Sequence, residues 1–497
     1  VARPAAAPAY NGRMSLGTVP APGVLGAVVK VLAVSDEPDY EQPWQTRGPQ
    51  AITGSGAIVR TRRGLRVLTN AHVVQNQVFV EVKRHGRAEK FPATVEGVGH
   101  DCDLALLAVE DPAFFRGARP LPLGRLPPLS SGVSVLGYPI GGERLSVTQG
   151  VLSRVEMTPY SQSQRVLLAG QIDAAINSGN SGGPVVRGSG LVGVAFQSLE
   201  EGENIGYMIA EPVVRHFLAD LEDGVFQGFP DLGAALQPLE SPAHRRALGL
   251  PERHGVLVAS VAFGACAWKR LLPRDVLLEL DGIRIAPDGT VPFRRGARLD
   301  LGYVVTSRFV GDVIAARIWR RGARHTVEIP LTPPVRLVPE ARYDVKPTYY
   351  LFGGLLFVPL TRDYLQTWGR DWWQIAPRSL LHHYESGVRS PSRQEVVILQ
   401  KVLADPLNRG YHRAESLEIV RVQGRRIRHL RELIALVEGA RGEYVAFETA
   451  GGATLVLDRR QAVERGPIIL QRYGVPRDRS PDLERPRWSR RPPPGIS

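Results

Sequence analysis

From residue 27 to about residue 220 the apolar residues come in short runs broken by glycine, proline and serine, without the spacing of a helical face. Ala27–Val34, Ala57–Arg60, Arg66–Thr69, Val78–Lys83, Ala93–Val98, Leu104–Val109 and Ser134–Gly137 read as strands. So do Val147–Val155, Val166–Asp173, Val185–Val186, Leu191–Phe196 and Tyr207–Ala210. Many short strands at this interval predict an all-β sandwich or barrel, which a helix near Pro212–Leu221 would close.

Beyond residue 228 the pattern changes. Pro242–Leu248 reads as a helix, and Val256–Val261, Val276–Leu280, Ile314–Trp319 and Thr326–Pro330 read as strands. Glu418–Ile427 repeats the strand-turn-Gly pattern of residues 276–285, with a helix at Leu430–Val437 and strands at Tyr444–Thr449 and Ala453–Asp458. The domains expected are therefore a flexible arm at 1–25, a β domain at 26–224, α+β domains at 228–335 and 340–465, and a basic Pro/Arg-rich tail at 466–497 that reads as disordered. The most apolar stretch, Tyr350–Leu360, is interrupted by Gly-Gly and Pro and reads as a buried strand rather than a membrane span.

Composition narrows the classes. A chain of 497 residues with 43% hydrophobic residues has room for about three domains of ordinary core. Its two cysteines, Cys102 and Cys266, lie far apart, which argues against a disulfide framework, and Cys102 reads as a buried filler. The 62 Lys+Arg against 49 Asp+Glu leave a net charge of +13, nearly all of it arginine. No basic helix or zinc or RNA-recognition motif organises that charge, so nucleic acid is not an expected partner. Nothing implies a metal or cofactor, and no Gly-x-x-x-x-Gly-Lys phosphate loop is present. Ala5-Ala6-Ala7-Pro8 has no apolar segment beside it that would make a signal peptide.

The chemistry lies in Gly179-Asn180-Ser181-Gly182-Gly183-Pro184. A serine hydroxyl needs a base to take its proton and donors to hold the oxyanion that forms. His72, in Leu68-Thr69-Asn70-Ala71-His72-Val73-Val74, offers the base, and Asp103, before Leu104-Ala105-Leu106-Leu107, offers a carboxylate to orient it. The order His, Asp, Ser is that of chymotrypsin-type enzymes. Ser181 also fits the Gly-x-Ser-x-Gly elbow of α/β-hydrolases, with His216, His244 and His254 downstream. That fold, however, requires a helix directly after the serine, where this chain has Gly-Gly-Pro and then a strand.

These phrases, with Gly54-Ser55-Gly56, Gly137-Tyr138-Pro139-Ile140-Gly141-Gly142 and Gln171–Asn177, together resemble the Deg/HtrA serine proteases over nearly the whole chain. Gly193–Ser198 and Asp288–Arg294 resemble the long Deg proteases of plants and algae, known in chloroplasts and nuclei, and their bacterial relatives. The resemblance implies a mostly β fold, with a chymotrypsin-like domain of two six-stranded barrels followed by two PDZ domains. It implies His72, Asp103 and Ser181 as the catalytic triad and Gly179, Asn180 and Ser181 as the oxyanion turn. Val194, Ala195, Phe196 and Ile205 would line the substrate site. Asp101 lies on the same strand face as Asp103, but the family phrase puts the acid directly before Leu-Ala-Leu-Leu.

Phe229, Leu232 and Gly233 would form the first PDZ loop and Phe352, Gly353 and Gly354 the second. Asp231 in the first would repel a terminal carboxylate, which sets docking against another domain or subunit beside capture of free C-termini as a competing role. The expected activity is ATP-independent cleavage of unfolded or damaged proteins by a homo-oligomer, a trimer or a multiple of one. The compartment stays open: chloroplast or nucleus in a plant or alga, envelope or cytoplasm in a bacterium. A holdase working through its PDZ units is the competing reading, and it would not need an intact triad.

Overall fold

A strand rich in valine, isoleucine and leucine must bury one face and pair its edges, and the first part of the chain does this in two sheets. The computed structural model describes residues 20–139, 142, 144–177, 179–198 and 206–484. These fall into two compact units, one made of residues 1–35, 50–228 and 302–309 and the other of 36–49, 229–301 and 310–497.

In the first unit, one sheet runs in the order Lys90–Pro92, Gln77–Arg84, Val28–Pro38, Thr46–Thr61, Gly64–Thr69, Leu104–Ala108, Thr94–Gly99. It has seven strands rather than the expected six, because residues 90–92 add a short edge strand beside Gln77–Arg84. Val29, Val31, Ile58, Leu68, Leu104 and Leu107, spread over both of its faces, are fully buried. The second sheet closes on itself as a barrel of six strands: Val166–Ile172, Gly206–Ala210, Gly190–Ser198, Pro184–Arg187, Gly132–Gly137 and Ser146–Pro159. Closure leaves no free edge, and Leu136, Leu152, Leu167, Ile172 and Ile209 are buried in its wall. The helix Glu211–Asp220 follows. Ordered structure begins inside the expected arm: Pro22–Leu25 form a helical turn and Val24 is buried, while residues 1–19 lie outside the described residues.

The second unit holds the hairpin Thr290–Arg294/Ala297–Asp300 and two larger sheets whose strand order matches over five strands. The first runs Ala234–Pro238, Val256–Val261, Val276–Leu280, Val313–Arg320, Ala323–Pro330, with Ile283–Arg284 folded back on Val276–Leu280. The other runs Tyr350–Phe352, Leu355–Pro359, Val397–Val402, Leu417–Val422, Tyr444–Thr449, Thr454–Asp458, with Arg425–Arg426 folded back on Leu417–Val422. The helix Leu430–Glu438 buries Leu430, Leu433, Ile434 and Val437, an i, i+3, i+4, i+7 stripe, and its first turn is capped by the His429 imidazole accepting from Glu432 N. Tyr350–Leu360 is a hairpin rather than one strand, since Gly353 and Gly354 both take positive φ at the turn.

Short helices between Arg362 and Ser386 build a core from Tyr364, Trp372, Leu380 and Leu381, a segment without strong periodicity in sequence. Past the boundary expected at residue 465 the chain stays packed. A helix spans Arg459–Arg472 straight through Gly466-Pro467, with Ala462 and Ile469 buried, and packed chain continues to Leu483. Proline costs this helix one internal hydrogen bond. Arg465 and Arg472, on either side of it, both bind the buried Asp405 carboxylate at 2.7 and 3.2 Å; the Arg465 hydrogen bond above all, with the Leu407 N–H and the two arginine charges, holds that carboxyl down at about 2. The residues beyond 484 lie outside the described part of the chain.

Candidate active site

The site is assembled from strand ends. Gly64–Thr69 pairs with Leu104–Ala108 so that Thr69 faces Ala105, which sets Asn70 and Asp103 side by side where the strands finish. The four-residue helix Ala71–Val74 then carries His72. Asp103 sits in the left-handed region, at φ 54°, which turns its carboxylate back over that helix. Its Oδ2 lies 2.7 Å from His72 Nδ1 and its Oδ1 accepts the His72 N–H at 2.9 Å, so one carboxylate grips both ring and backbone. Asn70 Nδ2 donates to the Asp103 carbonyl at 2.7 Å. The carboxylate is 1% exposed while the imidazole keeps 30% of its surface open. Burial alone would lower the imidazole pKa; the charge and hydrogen bond of Asp103 outweigh it, and the value rises above the ordinary 6.5.

Ser181 arrives on a turn clamped from several sides. Asn180 N donates to Asn177 O, Gly183 N to Asn180 O and Gly182 N to Ala195 O, while Ser55 N donates to the Ser181 carbonyl at 2.8 Å. Gly182 has φ 82°, and a Cβ there would lie 2.2 Å from Ser55 O and 3.0 Å from Asn70 N. A Cβ on Gly183 would lie 2.2 Å from Leu136 O. Glycine is thus required by contact as well as by dihedral, and that contact brings the serine turn against the segment carrying His72. Among the described residues the N–H groups of Gly179 and Ser181 donate to nothing, and Ser181 Oγ makes no hydrogen bond to the imidazole. Free sites often tighten that last bond only when substrate binds.

The other expected residues are placed less simply. Val194, Ala195 and Phe196 are buried in the barrel wall, with Phe196 against Tyr160 at 4.5 Å. Ala195 spends both backbone groups on the serine turn, through its N–H to Gly183 O and its carbonyl from Gly182 N. Ile205 lies outside the described residues. Ile176 occupies the space over Gly206, where a Cβ would be 2.7 Å from Ile176 Cδ1. Ile176 and Ser55 were passed over in sequence as pieces of longer phrases. Cys102 is a buried thiol, and burial together with the Asp101 and Asp103 charges pushes its pKa well up, so it is inert.

In the second unit, Phe229 and Leu232 are buried, and Gly233 N donates to Asp231 Oδ1 at 2.6 Å. At the other loop, Asn408 Nδ2 holds Gly353 O, and residues 478–480 lie along Tyr350–Phe352. There Leu351 N donates to Asp478 O at 2.6 Å and Ser480 N to Tyr349 O at 3.0 Å.

Residues 54–194 match the trypsin-like peptidase domain family and residues 338–482 match the PDZ domain family. The chain is 40% identical over 466 residues to Protease Do-like 2, chloroplastic, of Arabidopsis thaliana, covering 93% of this chain and 76% of that one. It is 36% identical over 454 residues to Protease Do-like 4, mitochondrial, of the same plant, covering 91% and 84%. In structure it resembles a variant of the HtrA-type protease AlgW, solved with a decapeptide, with a TM-score of 0.50, 23% identity, 63% of this chain and 96% of that one. The class is a serine endopeptidase, with a trypsin-like domain followed by a PDZ domain. The chain belongs to the Do-like, or Deg/HtrA, family of serine proteases.

Proposed function

We propose that the protease acts through Ser181, His72 and Asp103 on unfolded or damaged polypeptides, as part of protein quality control. The observation that carries the assignment is the double hold of Asp103 on His72, at 2.7 Å to the ring and 2.9 Å to the backbone. With Nδ1–H bound to the carboxylate, Nε2 is left as the basic nitrogen. Ser181 Oγ attacks the peptide carbonyl carbon as Nε2 takes its proton, and the carbonyl oxygen becomes an oxyanion facing the N–H groups of Gly179 and Ser181. Collapse breaks the C–N bond, and the imidazolium gives its proton to the leaving amine. Water then attacks the acyl ester, Nε2 taking its proton and returning it to Ser181 as the ester bond breaks. No nucleotide enters either step. Asn180 shapes the turn, and the bulge between Ala195 and Gln197 leaves the Phe196 backbone as the place where an extended substrate adds.

The regions 228–335 and 340–482 are proposed as two PDZ domains, a reading supported by their matching strand order. The Asp231 carboxylate already caps the first loop, which favours docking over capture of free C-termini. Assembly into a trimer or a multiple of one belongs to the same reading. The test is cleavage of unfolded casein by the full chain and by Ser181→Ala, with size-exclusion chromatography on both. Degradation by the wild type alone, from an oligomer, is expected. Equal degradation by both would remove Ser181 from the mechanism, and a monomer would remove the assembly.

A further inference from the structure

Ser55 is fully buried within the strand Thr46–Thr61, and every polar atom it owns is spent around the serine turn. Its N–H donates to Ser181 O at 2.8 Å and its carbonyl accepts from Thr69 Oγ1 at 2.7 Å. Its hydroxyl donates to Gly179 O at 2.7 Å and accepts the Tyr138 N–H at 2.8 Å. The backbone contacts would survive any side chain. The hydroxyl contacts would not, and one of them reaches the Gly179–Asn180 peptide plane, which lies between the two peptides that carry the Gly179 and Ser181 N–H groups.

That plane joins Gly179 to Asn180 and so links the two N–H groups, of Gly179 and of Ser181, that have no acceptor among the described residues. A peptide unit is rigid, so fixing its carbonyl fixes its whole orientation. Gly179 stands at φ 97° with no Cβ to restrict rotation, which leaves hydrogen bonds to decide where the plane points. One comes from Asn180 N to Asn177 O, within the turn itself; the other comes from outside the turn, from Ser55 Oγ. The Asn180–Ser181 plane is held separately by Gly183 N on Asn180 O, which turns the Ser181 N–H the opposite way. We propose that Ser55 is a positioning residue for the oxyanion turn: its hydroxyl fixes the Gly179–Asn180 peptide so that both donors converge on one oxygen. It touches no substrate and takes no proton from the reaction. This rests on the reading of Ser181 as the nucleophile.

The test uses the full chain, a fluorophosphonate probe that phosphonylates an activated serine, thermal melting and the pH dependence of labelling. Wild type should label and Ser181→Ala should not. If wild type stays unlabelled, or Ser181→Ala labels, the nucleophile reading falls and the Ser55 role falls with it. Given that control, Ser55→Ala should label about 10- to 100-fold more slowly, somewhat less than the loss of an oxyanion donor outright. Its pH midpoint should match wild type, because the His72–Asp103 pair is untouched. A rate within twofold of wild type overturns the role of Ser55 alone, as does a slower rate whose pH midpoint has moved. Should Ser55→Ala fail to fold, Ser55→Cys keeps the volume but donates weakly, and it carries the same expectation at about 3- to 10-fold; a wild-type rate in that variant also overturns the role.

Discussion

Two kinds of glycine-bearing turn in this molecule present backbone N–H groups, and they treat them in opposite ways. In the serine turn the N–H groups of Gly179 and Ser181 donate to nothing among the described residues, while every carbonyl from Gly179 to Ser181 is held. In the loop at Asp231, the Gly233 N–H is already taken by the Asp231 carboxylate at 2.6 Å. Along Tyr350–Phe352 the N–H of Leu351 is taken by the chain's own Asp478 carbonyl. Organised, unpaired donors form an anion site waiting for charge to develop, whereas donors capped from within the chain form a closed one. A glycine-rich loop is therefore not a binding site by composition; what matters is whether its donors are already spent.

The comparison breaks most readily at the open turn. Asp103→Asn should lower casein turnover by about 10⁴-fold, since the imidazole loses the partner that sets its tautomer. Asp101→Asn should stay within a fewfold of wild type, and equal losses in the two variants would reassign the acid. Gly182→Ala should cost about 3 kcal/mol of unfolding free energy and most of the turnover, because the new methyl meets the Ser55 carbonyl; a wild-type melting curve would show that the turn is looser than its contacts imply.

The closed loops come next. Asp405→Ala should lower the melting temperature by several degrees, because the carboxylate that caps Leu407 N and pairs with Arg465 and Arg472 across the helix is lost. With its folded carboxyl near 2, below the unfolded value near 3.8, this stabilisation is full above pH 4 and fades as pH falls through 2. Calorimetry at pH 7 and pH 2.5 checks both. Asp231→Gly should free the first loop, raising affinity for a fluorescein-labelled heptapeptide ending in Val-COOH at least tenfold, with no gain for its amide. Equal binding by wild type would show that the cap does not close the loop. The smallest effect is a pH shift. His72 must be neutral to act, and its raised pKa should place the acid limb of kcat/KM above pH 6.5. By the same linkage, the pair stabilises the fold fully below pH 6.5 and progressively less as pH rises through the His72 value. An acid limb below 6.5 would contradict the balance between burial and Asp103.

Much of this was legible without coordinates. Alternating short runs placed the strands to within a few residues, as at Val256–Val261 and Tyr444–Thr449, because half-buried strands must repeat every two residues. Three short phrases, each at a strand end, pointed to His72, Asp103 and Ser181, since special backbone conformations demand particular residues nearby. Continuation through Gly466-Pro467 was not legible: local propensity says stop, and the ion pairs that override it come from Asp405, some 60 residues earlier in the chain. Ser55 reads as one more small residue between two glycines until its hydroxyl is seen to reach Gly179, 124 positions away. Sequence alone determined which chemistry this chain carries and where its strands lie, because both are written in local pattern. Only the tertiary structure decided which N–H groups remain open and which are capped, because those partners are distant in sequence and meet only when the sheets close.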